Sequence, residues 1–191
     1  MTTSPQDASL TAAQATATAA SAAPSLPLSA AREIGLILAG TAAITLIGQL
    51  RLSLPLTPVP VTLGTFAVLG VGALLGWRRA LPSTLLFATL AALGAPVLAG
   101  WKGGVTVTFG YVLGYCLAGV VAGCAARNSK PWLRLPFFLL ASAAVYVPGV
   151  AWLLVATGKP LAAVLAVGVL PFLVGDLLKS VVAVLLPRLD I

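Results

Sequence analysis

An all-α integral membrane protein, with six transmembrane helices in a single bundle and both termini cytoplasmic, is the fold class this sequence predicts. Composition is the first reason. Sixty per cent of the 191 residues are hydrophobic and only 8% are charged, whereas a soluble domain carries about a quarter charged residues on its water-facing surface. The second reason is run length. Six apolar runs, at roughly 33–50, 59–76, 80–98, 104–126, 135–156 and 161–187, each approach or exceed the ~17–25 residues that cross ~30 Å of hydrocarbon. The third is charge asymmetry. With six crossings, one side holds Arg32, Arg78, Arg79, Arg127, Lys130, Arg134 and Arg188, and the other only Arg51, Lys102 and Lys159. Lys and Arg favour the cytoplasm, so the ends are expected inside.

Taken in order, residues 1–30 are Ala-, Ser- and Thr-rich with one charge, Asp7. They have no basic segment ahead of an apolar one, as a secretory signal requires, and too few large apolar groups to fold alone. They predict a disordered tail, and 31–191 the membrane domain. In the first run, Gly35, Ala39 and Ala43 recur every four residues, a stripe that lets another helix approach closely within the bundle or in a partner. The next link, "RLSLPLTPVPVTLGT" (51–65), carries Pro55, Pro58 and Pro60, which favour extended backbone. It reads equally as a lid over the bundle or as a stiff connector. Pro82 suits the first turn of the third run. The fourth run contains "VTVTFGYVLGYCLAG" (105–119), whose Gly110, Gly114 and Gly119 permit close packing. Thr108 and Tyr111 sit near its outer end, where their hydroxyls suit a ligand and Tyr111 equally suits an interfacial belt. Cys116 and Cys124 read as small buried core residues. Pro148-Gly149 and Pro171 are expected to interrupt the fifth and sixth runs.

Within the sixth run, "PFLVGDLLKS" (171–180) holds Asp176 and Lys179, each costing about 2.5–3.5 kcal/mol at a helix centre. Three residues apart, they share a helix face. A pair buried for stability alone gains little, because desolvation offsets the Coulomb attraction. Enzyme chemistry is excluded on other grounds. The chain has no histidine and four acidic residues in all, so there is no nucleophile–base pair and no metal site to propose. "TGKP" (157–160) lacks both the upstream glycine and the following Ser or Thr of a phosphate-binding loop. The chain therefore cannot hydrolyse ATP itself and needs no cofactor. The net charge of +7 is scattered between apolar runs and forms no basic face, which excludes a nucleic-acid partner. A pocket for a small polar molecule remains, or a self-sufficient proton-coupled carrier using Asp176 as relay; a purely structural membrane protein is the third reading.

"PLTPVPVTLGT", "GAPVLAG", "TFGYVLGY", "PGVAWL" and above all "PFLVGDLLKS" occur in the order and spacing of a known family. Over roughly residues 31–188 the chain resembles the BioY family, the biotin-specific substrate-capture (S) components of energy-coupling-factor (ECF) vitamin transporters. It departs from the family at Gly64, where glutamine is usual, at Val107 and Phe109, where proline and glycine are, and at Val174, usually proline. The resemblance implies a plasma-membrane protein with six helices around an outward-open biotin pocket. It also implies docking on a transmembrane coupling subunit with two ATPases. Tyr111, Asp176 and Lys179 match its motif positions. Ala39 and Ala43, on the stripe with Gly35, match its docking pattern. Asp176 is then expected to accept ureido N–H bonds, Lys179 to compensate its charge or donate to a ligand oxygen, and Lys102 is a candidate partner for the biotin carboxylate.

Overall fold

Glycines, prolines and the lengths of the apolar runs decide where the helices start and stop. The computed structural model describes residues 28–52, 61–128 and 130–189. Most of the tail expected at 1–30, and residues 53–60 of the proline-rich link, lie outside them. The chain separates into Met1–Arg32 and Glu33–Ile191, and of the first only Leu28–Arg32 is among the described residues.

Helix α1 (Leu28–Gly48) leads into a two-residue antiparallel pairing of β1 (Arg51–Leu52) with β2 (Val61–Thr62), Arg51 opposite Thr62. Four helices follow: α2 (Gly64–Leu75), α3 (Trp77–Ala92), α4 (Phe109–Ala125) and α5 (Pro131–Thr157). The sixth apolar run is broken into α6 (Leu161–Gly168), a 3-10 turn at Leu170–Phe172 and α7 (Leu173–Ala183). Three stretches among the described residues are long and apolar enough to cross a membrane: Leu28–Gly48, Pro131–Thr157 and Leu161–Ala183. Between them, α2 and α4 are shorter apolar helices of 12 and 17 residues.

Helices α2 and α3 abut at Gly76, whose φ of 77° lies in the left-handed region that glycine enters without a Cβ clash. Its N–H bonds the Gly72 carbonyl at 2.9 Å, and its own carbonyl accepts from Ala80 at 3.0 Å. This tight elbow starts α3 at Trp77, so Pro82 sits inside the helix and not in the first turn, as the run boundary suggested. The expected interruption at Pro148-Gly149 is also corrected: α5 runs unbroken through Pro136 and Pro148. Its neighbour explains why. A methyl group at Gly110 would overlap Pro148 and Trp152, and one at Gly114 the backbone of Val145. Close backbone packing of this kind holds a helix whose internal ladder has lost a bond. Pro171 does end α6, as expected.

Small residues fill the inside and large ones face out. Ala67, Ala80, Ala118, Ala122, Ala141 and Ala183 are buried, while Leu38, Leu46, Leu117, Leu140 and Leu178 are exposed. That is the pattern of a bundle solvated by lipid, where apolar side chains need no protein cover. The same logic corrects the cysteines: Cys116 is half-buried and Cys124 exposed, since lipid serves a thiol as well as a core does. Helix α1 meets α3 through Gly40, where a methyl group would crowd Ser83. Thr41 Oγ1 donates to the Ser83 carbonyl and Ser83 Oγ to the Ile37 carbonyl, each at 3.0 Å.

Candidate functional site

The break at Pro171 builds the polar centre. Because α7 restarts at Leu173, Asp176 falls in its first turn, where the helix dipole favours a carboxylate. Lys179 Nζ donates to Asp176 Oδ1 at 2.9 Å, and Tyr146 of α5 donates its phenol to Oδ2. One turn along both helices, the Ser142 and Ser180 hydroxyls meet at 2.9 Å. Residues 142 and 146 thus face 180 and 176 as two polar rungs across an apolar interface. Asp176 and Lys179 are only 7% and 9% exposed. The pair is neutral, yet it retains capacity: a carboxylate offers about four acceptor sites, of which two are used, and an ammonium three donors, of which one is used.

Both side chains line a cavity of about 350 Å³, within the roughly 300–1,000 Å³ range of small-molecule sites. Its character changes along its length. Asp176, Lys179 and Tyr146 make the buried polar end; Phe87, Val97, Leu98, Val145 and Phe172 supply apolar wall; Arg51 and Lys102, both exposed, stand at the rim. A loop positions that rim. Gly100 and Trp101 have φ of 76° and 56°, the paired left-handed residues of a tight hairpin turn, and Leu98 bridges Lys102 across it. Gln49, just past α1, holds this loop. Its Oε1 accepts from Gly100 N and Trp101 N at 2.9 and 3.0 Å, and its Nε2 donates to the carbonyls of Leu98 at 3.2 Å and Thr45 at 3.0 Å. Arg51 packs against Gly100, where a methyl group would come within 2.6 Å of Nη1.

All five ligand residues expected from the sequence, Asp176, Lys179, Tyr111, Thr108 and Lys102, line this one cavity. Two of them have other commitments. The Tyr111 hydroxyl donates to the Gly168 carbonyl at 2.9 Å, tying α4 to the end of α6, and its ring packs edge-on against Tyr146. Gly149 packs against the Tyr111 ring, and the hydroxyl oxygen, which donates here, can still accept. Thr108 Oγ1 lies 3.2 Å from Thr106 Oγ1. Tyr146, Tyr115 and Arg51 also line the cavity and were missed. The glycine at 64 has a physical counterpart: a side chain there would overlap the Tyr115 hydroxyl and lie 3.1 Å from Thr62 Oγ1. Tyr115 occupies the space that a longer residue would need. On α1, Gly35 and Ala39 are exposed, with nothing within 4 Å of a Cβ at Gly35, whereas Ala43 is half-buried against the core.

Comparison with known proteins follows this geometry. The profile of the BioY family matches residues 16–189, reaching into the N-terminal segment that the sequence reading had set apart. A protein of Pyrococcus horikoshii named "Probable biotin transporter BioY" is 35% identical over 156 residues, which cover 82% of this chain and 94% of the relative. Among solved structures, the S-component for biotin from an ECF-type ABC transporter superimposes with a TM-score of 0.74 at 25% identity, covering 84% of this chain and 91% of that one.

Proposed function

This chain belongs to the BioY family, and from that premise we propose that it is the biotin-capturing S component of an ECF-type uptake system. The observation that carries the reading is the graded cavity, which matches biotin group by group. A ureido ring has two N–H donors and one carbonyl acceptor. Asp176 and Lys179 retain both acceptor and donor sites for it, and charge-assisted bonds are about twice as strong as neutral ones. The apolar fused rings suit the wall of Phe87, Val145 and Phe172. The carboxylate tail suits the cationic rim, Lys102 with Arg51. Thr108 and the Tyr111 ring complete the wall. The proton-coupled carrier is not favoured: the family and fold comparisons lead to an S component, and Lys179 already neutralises Asp176.

In this reading α1 to α5 and the α6–α7 pair make six crossings of the plasma membrane, with cytoplasmic termini. The exposed Gly35 and Ala39 meet a transmembrane coupling subunit whose two ATPases power import, while Ala43, half-buried against the core, lies on the bundle side of α1. Purified protein is expected to carry biotin, identified by mass spectrometry of the small molecule released on denaturation, and to hold it across a wide pH range by calorimetry. Binding that follows the protonation of a single carboxylate would return the case to the proton relay.

Topology has its own check. In a chain with Cys116 and Cys124 replaced by serine, because Cys124 is exposed, a cysteine placed beside Lys159 should react with an impermeant thiol reagent in intact cells. One placed at Leu189 should stay unlabelled. The reverse pattern would overturn the orientation.

A further inference from the structure

The end of the bundle opposite the biotin cavity holds a second recess, of about 360 Å³, which the capture of a vitamin does not use. It forms where Glu33 of α1, the Gly76 elbow, the end of α4 and the C-terminal segment meet. Four arginines line it, Arg78, Arg79, Arg127 and Arg188, against one carboxylate, Glu33. Glu33 takes two bonds from Arg79, at 2.7 and 2.8 Å. Among the described residues the lining therefore carries four positive charges and one negative. Helix α3 begins in the same place with no side-chain cap, because glycine occupies its N-cap position. The first amides of a helix have no partner inside it, and Trp77 and Arg78, the first residues of α3, line the recess.

Its depth points to one source of anion. The recess lies at the ends of the apolar helices α2 and α4, which in the six-crossing reading is the level of headgroups and not of acyl chains. Trp77 lines it, with the Arg78 guanidinium 5.7 Å over its ring, and tryptophan favours that level. Leu185 and Leu189, on either side of Arg188, are 68% and 43% exposed, an apolar flank next to the charge. Basic pockets between helices on the cytoplasmic side suit anionic headgroups, and anionic lipids concentrate in that leaflet.

We propose that this recess binds the phosphate of an anionic phospholipid, gripped by Arg127, Arg188 and the start of α3, with the acyl chains along Leu185 and Leu189. Arginine suits the role because its planar fork meets two phosphate oxygens at once. The proposal rests on the orientation given above, which thiol labelling tests separately.

The test is native mass spectrometry of the full chain, titrated with phosphatidylglycerol or phosphatidylcholine in detergent. Wild type should prefer phosphatidylglycerol at least tenfold, and millimolar inorganic phosphate should not displace it. Arg127→Gln with Arg188→Gln should abolish the preference while leaving biotin affinity unchanged, which shows that the variant is folded. Arg127→Lys with Arg188→Lys keeps the charge and removes the fork, and should lose most of the preference. Equal binding of the two lipids, or a preference untouched by the glutamine variant, would overturn the proposal. Full retention in the lysine variant would mean diffuse attraction and no site. Displacement by inorganic phosphate would make free phosphate the ligand. If no lipid preference exists and the glutamine variant loses co-purification with the coupling subunit, the recess serves an acidic protein segment and the lipid assignment fails.

Discussion

Asp176→Asn lowers biotin affinity by about two orders of magnitude or more, and Lys179→Ala does the same. Each change removes a charged partner from the ligand, and a hydrogen bond to a charged group is worth about 1.5–3 kcal/mol. Losing two such bonds, about 3–6 kcal/mol at 1.4 kcal/mol per tenfold, gives that range. Each single variant also strands the other charge in a site less than one-tenth exposed, so lower stability is expected beside weaker binding. Asp176→Asn combined with Lys179→Gln separates the two effects. It removes both charges and keeps the shape, a replacement that is often neutral for stability, so this chain should melt close to wild type and still fail to bind. Tyr146→Phe, which deletes the third member of the cluster, should cost about tenfold in affinity. Calorimetry with a thermal melt on each variant decides the matter. Normal biotin binding by the double variant would leave Asp176–Lys179 as a packing device only.

Ala39→Trp abolishes assembly with the coupling subunit and coupled uptake, while biotin binding persists. Position 39 is exposed on α1, and a bulky side chain there holds an approaching helix away. The inward face of α1 is a different line, Gly40, Thr41 and Ile44, and the substitution does not touch it. Ala43 behaves differently. It is half-buried against the core, so Ala43→Trp should overpack the bundle and weaken folding and binding together. The readout is paired: biotin calorimetry, and co-purification with the coupling subunit. Loss of biotin binding in Ala39→Trp would sink the docking assignment for that face.

The parts of the site that the sequence disclosed were those that violated their surroundings. A carboxylate and an ammonium in an apolar run are conspicuous because membranes penalise them, and they mark the cavity whatever else is known. Tyr146 broke no rule. An aromatic in a membrane helix is ordinary, and its partner Asp176 lies 30 residues on, in a contact that only the packing of α5 on α7 creates. Arg51 was legible only as one of three basic residues on the outer side; its place at the rim comes from the hairpin at 98–102, which sets Gly100 against it. Proline was informative in one place and not in another. At Pro171 the helix ends and Tyr111 caps the freed Gly168 carbonyl, whereas at Pro148 a glycine on α4 presses against a helix that continues. Burial was the least legible quantity, as Cys124 shows, because in lipid an apolar residue has two places to go. The residues of the proline-rich link that would close a lid, 53–60, lie outside the described structure.

Gln49 makes helix α1 and the cavity's rim share a side chain. Its amide is bonded both to α1, through Thr45, and to the loop that carries Lys102. If the coupling subunit docks on α1 as proposed, a shift of α1 reaches the cavity's rim through this amide, and a shift of the rim reaches α1. Thermodynamic reciprocity makes the factors equal: whatever biotin does to the affinity for the coupling subunit, the coupling subunit does to the affinity for biotin. Under that proposal, occupancy at one end and attachment along the other are linked readings of one equilibrium, joined by one uncharged amide.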